Sequence, residues 1–297
     1  MVGYYLFRGF EYILMAIPRS WRKALFLAVA RLAYRFDTKH RRIIRQNLEF
    51  VYGKELDQDF VDEITLYGFQ NLAINSLFIV EARHVSAEQL KERVTFEGLE
   101  YVQKVQEKER PIVFVTSHFG VWEVGGSAIS ALVEPLMFIY KKMSNPYFQK
   151  YLLSSRTKHR MNYAERHGAL KALIKQMRSK KSTGLLIDTN VSQRDGILVR
   201  FLGKDSRQIT TPAYLARKMD AALIPVLIYT DDFDHYVVKF SPEVEVAHTD
   251  DDKADIEDAT QRITDWLSER IYEDPKYWFW MHRRWKSDYP ELYHKDQ

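Results

Sequence analysis

The chain has 297 residues, 46% of them apolar, which is enough for one large or two small domains with a real core and excludes a disordered chain. It contains no cysteine, which excludes disulfides, thiolate metal sites and a cysteine nucleophile or acyl-cysteine intermediate. The net charge of +4 conceals segregation: residues 1–45 hold ten Arg or Lys against Glu11 and Asp37, residues 141–181 hold twelve against Glu165 alone, and HTDDDKADIED after residue 247 is acidic, a pattern that points to anionic partners.

The first 36 residues contain YYLFRGFEYILMAIP and ALFLAVARLAYRF, apolar and aromatic but interrupted by Arg8, Glu11, Pro18 and an Arg-rich turn. Neither is the run of about 20 apolar residues that a simple membrane-spanning helix needs. No basic leader and small-residue cleavage site marks a signal peptide. Helices with an aliphatic, aromatic face opposite Arg and Lys lie in a membrane interface beside anionic lipid, although the same pattern also makes an ordinary surface hairpin. Helical patterning continues through TKHRRIIRQNLEFVYG to Gly53 and through residues 57–82. A boundary near residue 52 is expected, with residues 1–52 as an amphipathic helical membrane anchor and 53–297 as the catalytic domain.

From about residue 93 short apolar strands (VTFEG, PIVFVT, LMFIY, TGLLID, LIPVLIY, YVVKF) alternate with helical stretches at 97–108, 122–132, 145–160, 168–180 and 211–219. That alternation predicts an α/β fold with a largely parallel sheet flanked by helices. A helix over 253–273 and the tail YWFWMHRRWK follow. The Trp and Tyr of this tail either anchor at a lipid interface or seal the core.

Ligands of open α/β sheets bind beyond the carboxyl ends of the strands. At three such ends lie His118 with Glu123, Lys141, and Asp188. On one continuous helix, residues five apart point roughly 140° away from each other. His118 and Glu123 can therefore share a site only if the helix begins between them, as the strand-to-helix turn in PIVFVTSHFGVWEVGG allows. A carboxylate beside an imidazole suits a general base. With nine His and 40 acidic residues, the spacing alone arises about once by chance. The scattered His residues argue against a bound metal. A Ser117 nucleophile with His118 as its base is disfavoured, because neighbours on an extended segment face opposite sides.

Five blocks in order resemble the late lipid A biosynthesis acyltransferases, which add secondary acyl chains to the lipid A precursor. SHFGVWEVGG is similar to the family's His-x4-acidic block, YKKMSNPY to its Tyr-Arg-Pro…Asn-Pro block, and LLID to its Asp block. FLGKDSRQITTPAYLARKMDAALIPV resembles the stretch with a Phe-Gly turn and a Thr pair, and WFWMHRRWK resembles the closing block. The chain departs from the pattern with Val121 where Asn is frequent, with Lys141 and Lys142 in place of Arg and Pro, and with Thr189 and Asn190 after the Asp where Gln is more usual. A Lys lacks the bidentate fork that an Arg offers a phosphate.

The resemblance implies a glycerolipid acyltransferase-like fold and direct transfer from an acyl thioester to a hydroxyl. On this resemblance His118 takes the proton of the acceptor's 3-hydroxyacyl hydroxyl, Glu123 orients and charge-balances the imidazole, and backbone N–H groups near Phe119 to Val121, or Lys141, stabilise the oxyanion. Lys141, Asn145 and Asp188 are expected to bind substrate, Asp188 by holding a positive partner or water. No cofactor is expected, the acyl group arriving on acyl carrier protein or coenzyme A. Implied partners are acyl carrier protein, an anionic lipid acceptor and the cytoplasmic face of the inner membrane. Nothing resembles a nucleic-acid module. Rival readings are the same chemistry on a lysophospholipid or a glycosylated phosphatidylinositol, and a non-catalytic lipid-binding protein.

Overall fold

A computed structural model describes residues 2–294. Four helices come first: α1 (Val2–Ala16), α2 (Arg19–Phe36), α3 (Thr38–Tyr52) and α4 (Gln58–Glu81). Pro18 separates α1 from α2, and Asp37 caps α3 by accepting from the His40 N–H. Each of the first two helices is clasped by a buried carboxylate. Glu11 meets Arg8, Arg83 and His84, while Glu81 meets Arg22 at 3.0 Å and Arg19 at 3.6 Å. Asn47 of α3 donates to the carbonyls of Trp280 and His282 and accepts from Tyr293, so α3 is fastened to the C-terminal tail. Ile43, Ile44 and Leu48 belong to the same core as the sheet.

The sheet has seven strands: β1 (Val94–Glu97), β2 (Ile112–Thr116), β3 (Leu136–Tyr140), β4 (Asn162–Glu165), β5 (Ser182–Leu186), β8 (Ala222–Tyr229) and β9 (Tyr236–Phe240), in the order β1-β9-β8-β2-β5-β3-β4. All pairings are parallel except β8 with β9. The central strands are apolar on both faces because helices cover both, as parallel sheets require. The remaining helices are α5 (Ala87–Lys91), α6 (Leu99–Glu107), α7 (Trp122–Ala128), α8 (Pro146–Thr157), α9 (Ala169–Arg178), α10 (Thr211–Met219) and α11 (Asp252–Glu273). The largely parallel α/β fold expected from the sequence is what is observed.

Several elements, the short helix α5 among them, depart from the expectation. The helix expected over 122–132 stops at Ala128 and continues as a π-turn through Val133. Strand β4, with sequence NYAE, is a polar edge strand with no apolar run to betray it. A separate antiparallel hairpin, β6 (Ile197–Phe201) with β7 (Lys204–Gln208), turns on Leu202 and Gly203, both with positive φ. The C-terminal Trp278, Trp280 and Trp285 are buried, so this tail seals the core.

The amphipathic helices expose an apolar stripe. On α2, Trp21, Leu25, Val29, Leu32 and Phe36 recur every three or four residues, with Trp21 71% and Phe36 75% exposed. On α1, Tyr5, Leu6, Phe10, Tyr12 and Ile13 are also exposed. Among the described residues no helix is long and apolar enough to cross a membrane.

Candidate functional site

The parallel register of β2 and β5 builds the site. Thr116 pairs with Leu186, so His118 and Asp188 each lie two residues beyond a matched position and emerge side by side. Asp188 is 3% exposed and accepts three hydrogen bonds: from the His118 backbone N–H at 2.8 Å, from His118 Nδ1 at 2.9 Å and from the Trp278 indole at 3.0 Å. A carboxylate ringed by donors is ionised, which fixes the proton of neutral His118 on Nδ1 and leaves Nε2 with its lone pair.

Electrostatics reinforce this pairing. Burial alone would depress the His118 pKa, but the charge and hydrogen bond of Asp188, helped by Glu123, outweigh it and raise the pKa above 6.5. Burial alone would raise Asp188, but His118 outweighs it and holds the carboxyl at about 2. Two groups lie behind the pair. His282, whose Nε2 accepts from the Asn190 N–H, has its pKa lowered chiefly by burial. Arg284, buried and lowered to about 10 by desolvation, donates to Gln208, which in turn donates to the Ile187 carbonyl.

The turn carrying His118 is held from the far side of the chain. Phe279 N–H donates to the His118 carbonyl at 2.9 Å, and Gly120 N–H to the Tyr277 carbonyl at 2.9 Å. Gly120 has φ +57°, and a Cβ there would stand 1.8 Å from the Ile228 carbonyl oxygen, so only glycine fits this turn. Asn75 of α4 donates to the Gly120 carbonyl and accepts from the Glu123 N–H. The amides of Phe119, which donates to Ser117, and Gly120 are thus occupied within the protein and are not free oxyanion donors.

Glu123 opens α7 and faces Arg156 of α8, which donates to both its oxygens, one at 3.2 Å. The fork-to-fork pair holds two charges in the cleft. His118, Glu123 and Arg156, together with Thr116 and Tyr163, are the polar lining of a cavity of about 790 Å³, including its open side, whose remaining walls are apolar and include Phe114, Ile129, Leu136, Phe138, Val226 and Ile228. Gly126 and Gly184 make this space, since a Cβ at Gly184 would come within 2.4 Å of the Phe138 ring.

The structure thus brings His118, Glu123 and Asp188 together, but gives Nδ1 of His118 to Asp188 and gives Glu123 to Arg156. Lys141 is exposed at the end of β3, outside the cavity lining, and Asn145 uses its side-chain oxygen to cap α8 at Tyr147 and Phe148. Ser117 Oγ makes no hydrogen bond and does not line the cavity. Sequence reasoning missed Arg156, which no local pattern separates from the other basic residues of 141–181, and the clamp at Tyr277 to Phe279, for which the aromatic tail was a signal.

The sequence matches the family described as bacterial lipid A biosynthesis acyltransferase over residues 1–287. It is 21% identical to the lipid A biosynthesis lauroyltransferase of Escherichia coli K12 over 94% of this chain and 90% of that one. It is likewise 21% identical to that organism's lipid A biosynthesis palmitoleoyltransferase over 87% and 83% of the two chains. A phosphatidylinositol mannoside acyltransferase of Mycolicibacterium smegmatis is 22% identical over 93% and 89%.

The shifted pair makes stability depend on pH. Asp188, lowered from 3.8 to about 2, contributes stability that is present above about pH 4 and lost as pH falls through 2. His118, raised above 6.5, contributes stability that is full below that value and lost as pH rises through its folded pKa. Urea unfolding of wild type and Asp188→Asn across pH should therefore show the largest difference between about pH 4 and 6.5, narrowing on both sides. A difference that grows steadily above pH 8 would contradict the pairing.

Proposed function

The chain belongs to the bacterial lipid A biosynthesis acyltransferase family, and from that membership we propose how its site performs acyl transfer. His118 Nε2 takes the proton of an acceptor hydroxyl as the oxygen attacks the carbonyl carbon of an acyl thioester. Asp188 holds the tautomer and stabilises the imidazolium that forms. The tetrahedral oxyanion collapses, the carbon–sulfur bond breaks, and the departing thiolate takes the proton back from His118. Ester and free thiol result, and no covalent enzyme intermediate is needed. Arg156, a cation on the cavity wall, stabilises the oxyanion, and Glu123 orients it and adds negative charge near the imidazolium.

The observation that carries this reading is the His118–Asp188 pair opening onto an apolar cavity, the surroundings an alkyl chain needs beside a base. The acyl chain of the donor fills that cavity. Acyl carrier protein, which is acidic, fits the exposed Lys171, Lys175 and Arg178 of α9. The exposed stripes of α1 and α2, with Arg31 and Arg35 exposed beside the α2 stripe, suit an interfacial position on an anionic membrane, on the cytoplasmic side where acyl carrier protein is found. Residues 1–52 then act as the anchoring layer and the remainder as the catalytic body. A phosphatidylinositol glycoside is the second acceptor to weigh, since one relative carries that name.

Transfer from acyl carrier protein and coenzyme A thioesters to a lipid A precursor, a phosphatidylinositol mannoside and a lysophospholipid tests the assignment. Activity is expected on the lipid A precursor, and His118→Ala should lower kcat by about 10²- to 10⁴-fold, the usual worth of a general base. Sole activity on a glycerolipid, or an unchanged rate in His118→Ala, would overturn it. Gly126 offers a second check, since its Cβ position lies 3.4 Å from Phe138 and 3.5 Å from Met161. Gly126→Val should move donor preference to shorter chains, with about 0.8 kcal/mol lost per displaced methylene. An unaltered chain-length profile would place the acyl chain elsewhere.

A further inference from the structure

A second apolar space lies behind the partition that backs His118. Phe279 stands with its ring 6.1 Å from the His118 ring and 5.5 Å from that of Trp122. Trp122 lines the cavity over the sheet, whereas Phe279 lines a groove between α2, the start of α3, α4 and the C-terminal tail. This groove has a volume of about 900 Å³ including its open side; its walls are mainly apolar, from Val29, Ala33, Leu72, Ala73, Phe279 and Met281, with Asp37, His40, Ser76 and His282 as their polar members.

We propose that this groove holds the hydrocarbon of the acceptor's own hydroxyacyl chain, so that donor and acceptor chains approach His118 from two sides. The proposal rests on the acyl-transfer reading and says where its second substrate sits. Three observations favour this occupant. First, the groove is lined by Phe279, whose ring centroid stands 6.1 Å from that of His118, so a chain head passing over the edge of Phe279 would come beside the base.

Second, the groove joins the exposed apolar stripe. Val29 belongs to both, is 53% exposed, and faces Leu72, which is 38% exposed on the opposite lip. A chain leaving a bilayer pressed against Trp21, Leu25 and Leu32 stays in apolar contact all the way. The cavity over the sheet is different. Its lining residues Phe114, Ile129, Leu136, Val226 and Ile228 are at most 3% exposed, which suits a chain delivered whole from a water-soluble carrier rather than one still rooted in lipid.

Third, one helix carries both the groove and a site contact. Leu72, Ala73 and Ser76 of α4 face the groove, and Asn75 between them bonds the Gly120 carbonyl and the Glu123 N–H. A chain in the groove therefore lies against the helix that positions the catalytic turn. The small side chains Ala30, Ala33, Ala73 and Ser76 give the groove its depth.

The test is photo-crosslinking in phosphatidylglycerol vesicles, using 3-hydroxytetradecanoyl-glucosamine phosphate with a diazirine in mid-chain and a phosphatidylglycerol carrying the same diazirine. The hydroxyacyl probe should label peptides covering residues 26–33 and 69–76 at least fivefold over the phospholipid. Labelling confined to the cavity over the sheet would overturn the proposal, as would equal labelling by both probes, which would mean that the groove merely holds bulk lipid. Ala73→Trp and Ser76→Asp, which fill it or make it polar, should lower the ratio of kcat/KM for long- over short-chain hydroxyacyl acceptors at least tenfold. That ratio is insensitive to the fraction of folded enzyme, and an unchanged ratio in both variants counts against the groove. Groove labelling by an enzyme that transfers to no hydroxyacyl acceptor would leave the site standing and remove the acyl-transfer reading instead.

Discussion

A carboxylate buried to 3% exposure must be supplied with hydrogen bonds or lose its charge, and Asp188 is the group whose needs organise this molecule. Its donors come from three places: the His118 backbone, the His118 ring and the Trp278 indole. Satisfying them brings the end of β5, the turn after β2 and the C-terminal tail to one point. The tail is in turn fixed by Asn47 of α3, and the turn by Asn75 of α4. The N-terminal helices are thus coupled to the base through its supports.

Two carboxylates share the cleft and have different partners. Asp188 is paired with an imidazole that titrates, whereas Glu123 is paired with a guanidinium that does not. The first arrangement poises a proton acceptor, because the imidazole gains a charge exactly where an anion already waits. The second keeps a cation fixed on the wall of a largely apolar cavity, where low polarity would strengthen its effect on the oxyanion of the proposed transfer.

Much of the fold was legible in the sequence, for a physical reason. IVFVT and LIPVLIY are buried strands between helical layers and read as continuous apolar runs, and LMFIY is as apolar although only Leu136 in it is fully buried. The edge strand NYAE and the β7 segment KDSRQ are built largely of polar side chains, Ser206 and Gln208 of β7 even being buried, and so leave no such trace. His118, Glu123 and Asp188 were found because strand ends are where α/β sheets place chemistry. Their pairing was not legible. Asp188 stands 70 residues from His118, and only the register of β2 on β5 makes them neighbours. Local spacing favoured Glu123 as the imidazole's partner, yet that side chain, on the first turn of α7, meets Arg156 from a helix 33 residues on. The tail's aromatic residues allowed either a lipid or a core role, and burial of Trp278, Trp280 and Trp285 decided for the core.

The central claim is that Asp188, rather than Glu123, governs the protonation of the base. Titrating the ring nitrogens of His118 by nitrogen-15 NMR in wild type, Asp188→Asn and Glu123→Gln tests it most directly. The account predicts a pKa above 6.5 with the proton of the neutral ring on Nδ1 in wild type, a marked fall with loss of that tautomer preference in Asp188→Asn, and a smaller fall in Glu123→Gln. A wild-type pKa and tautomer that survive Asp188→Asn but change in Glu123→Gln would contradict it.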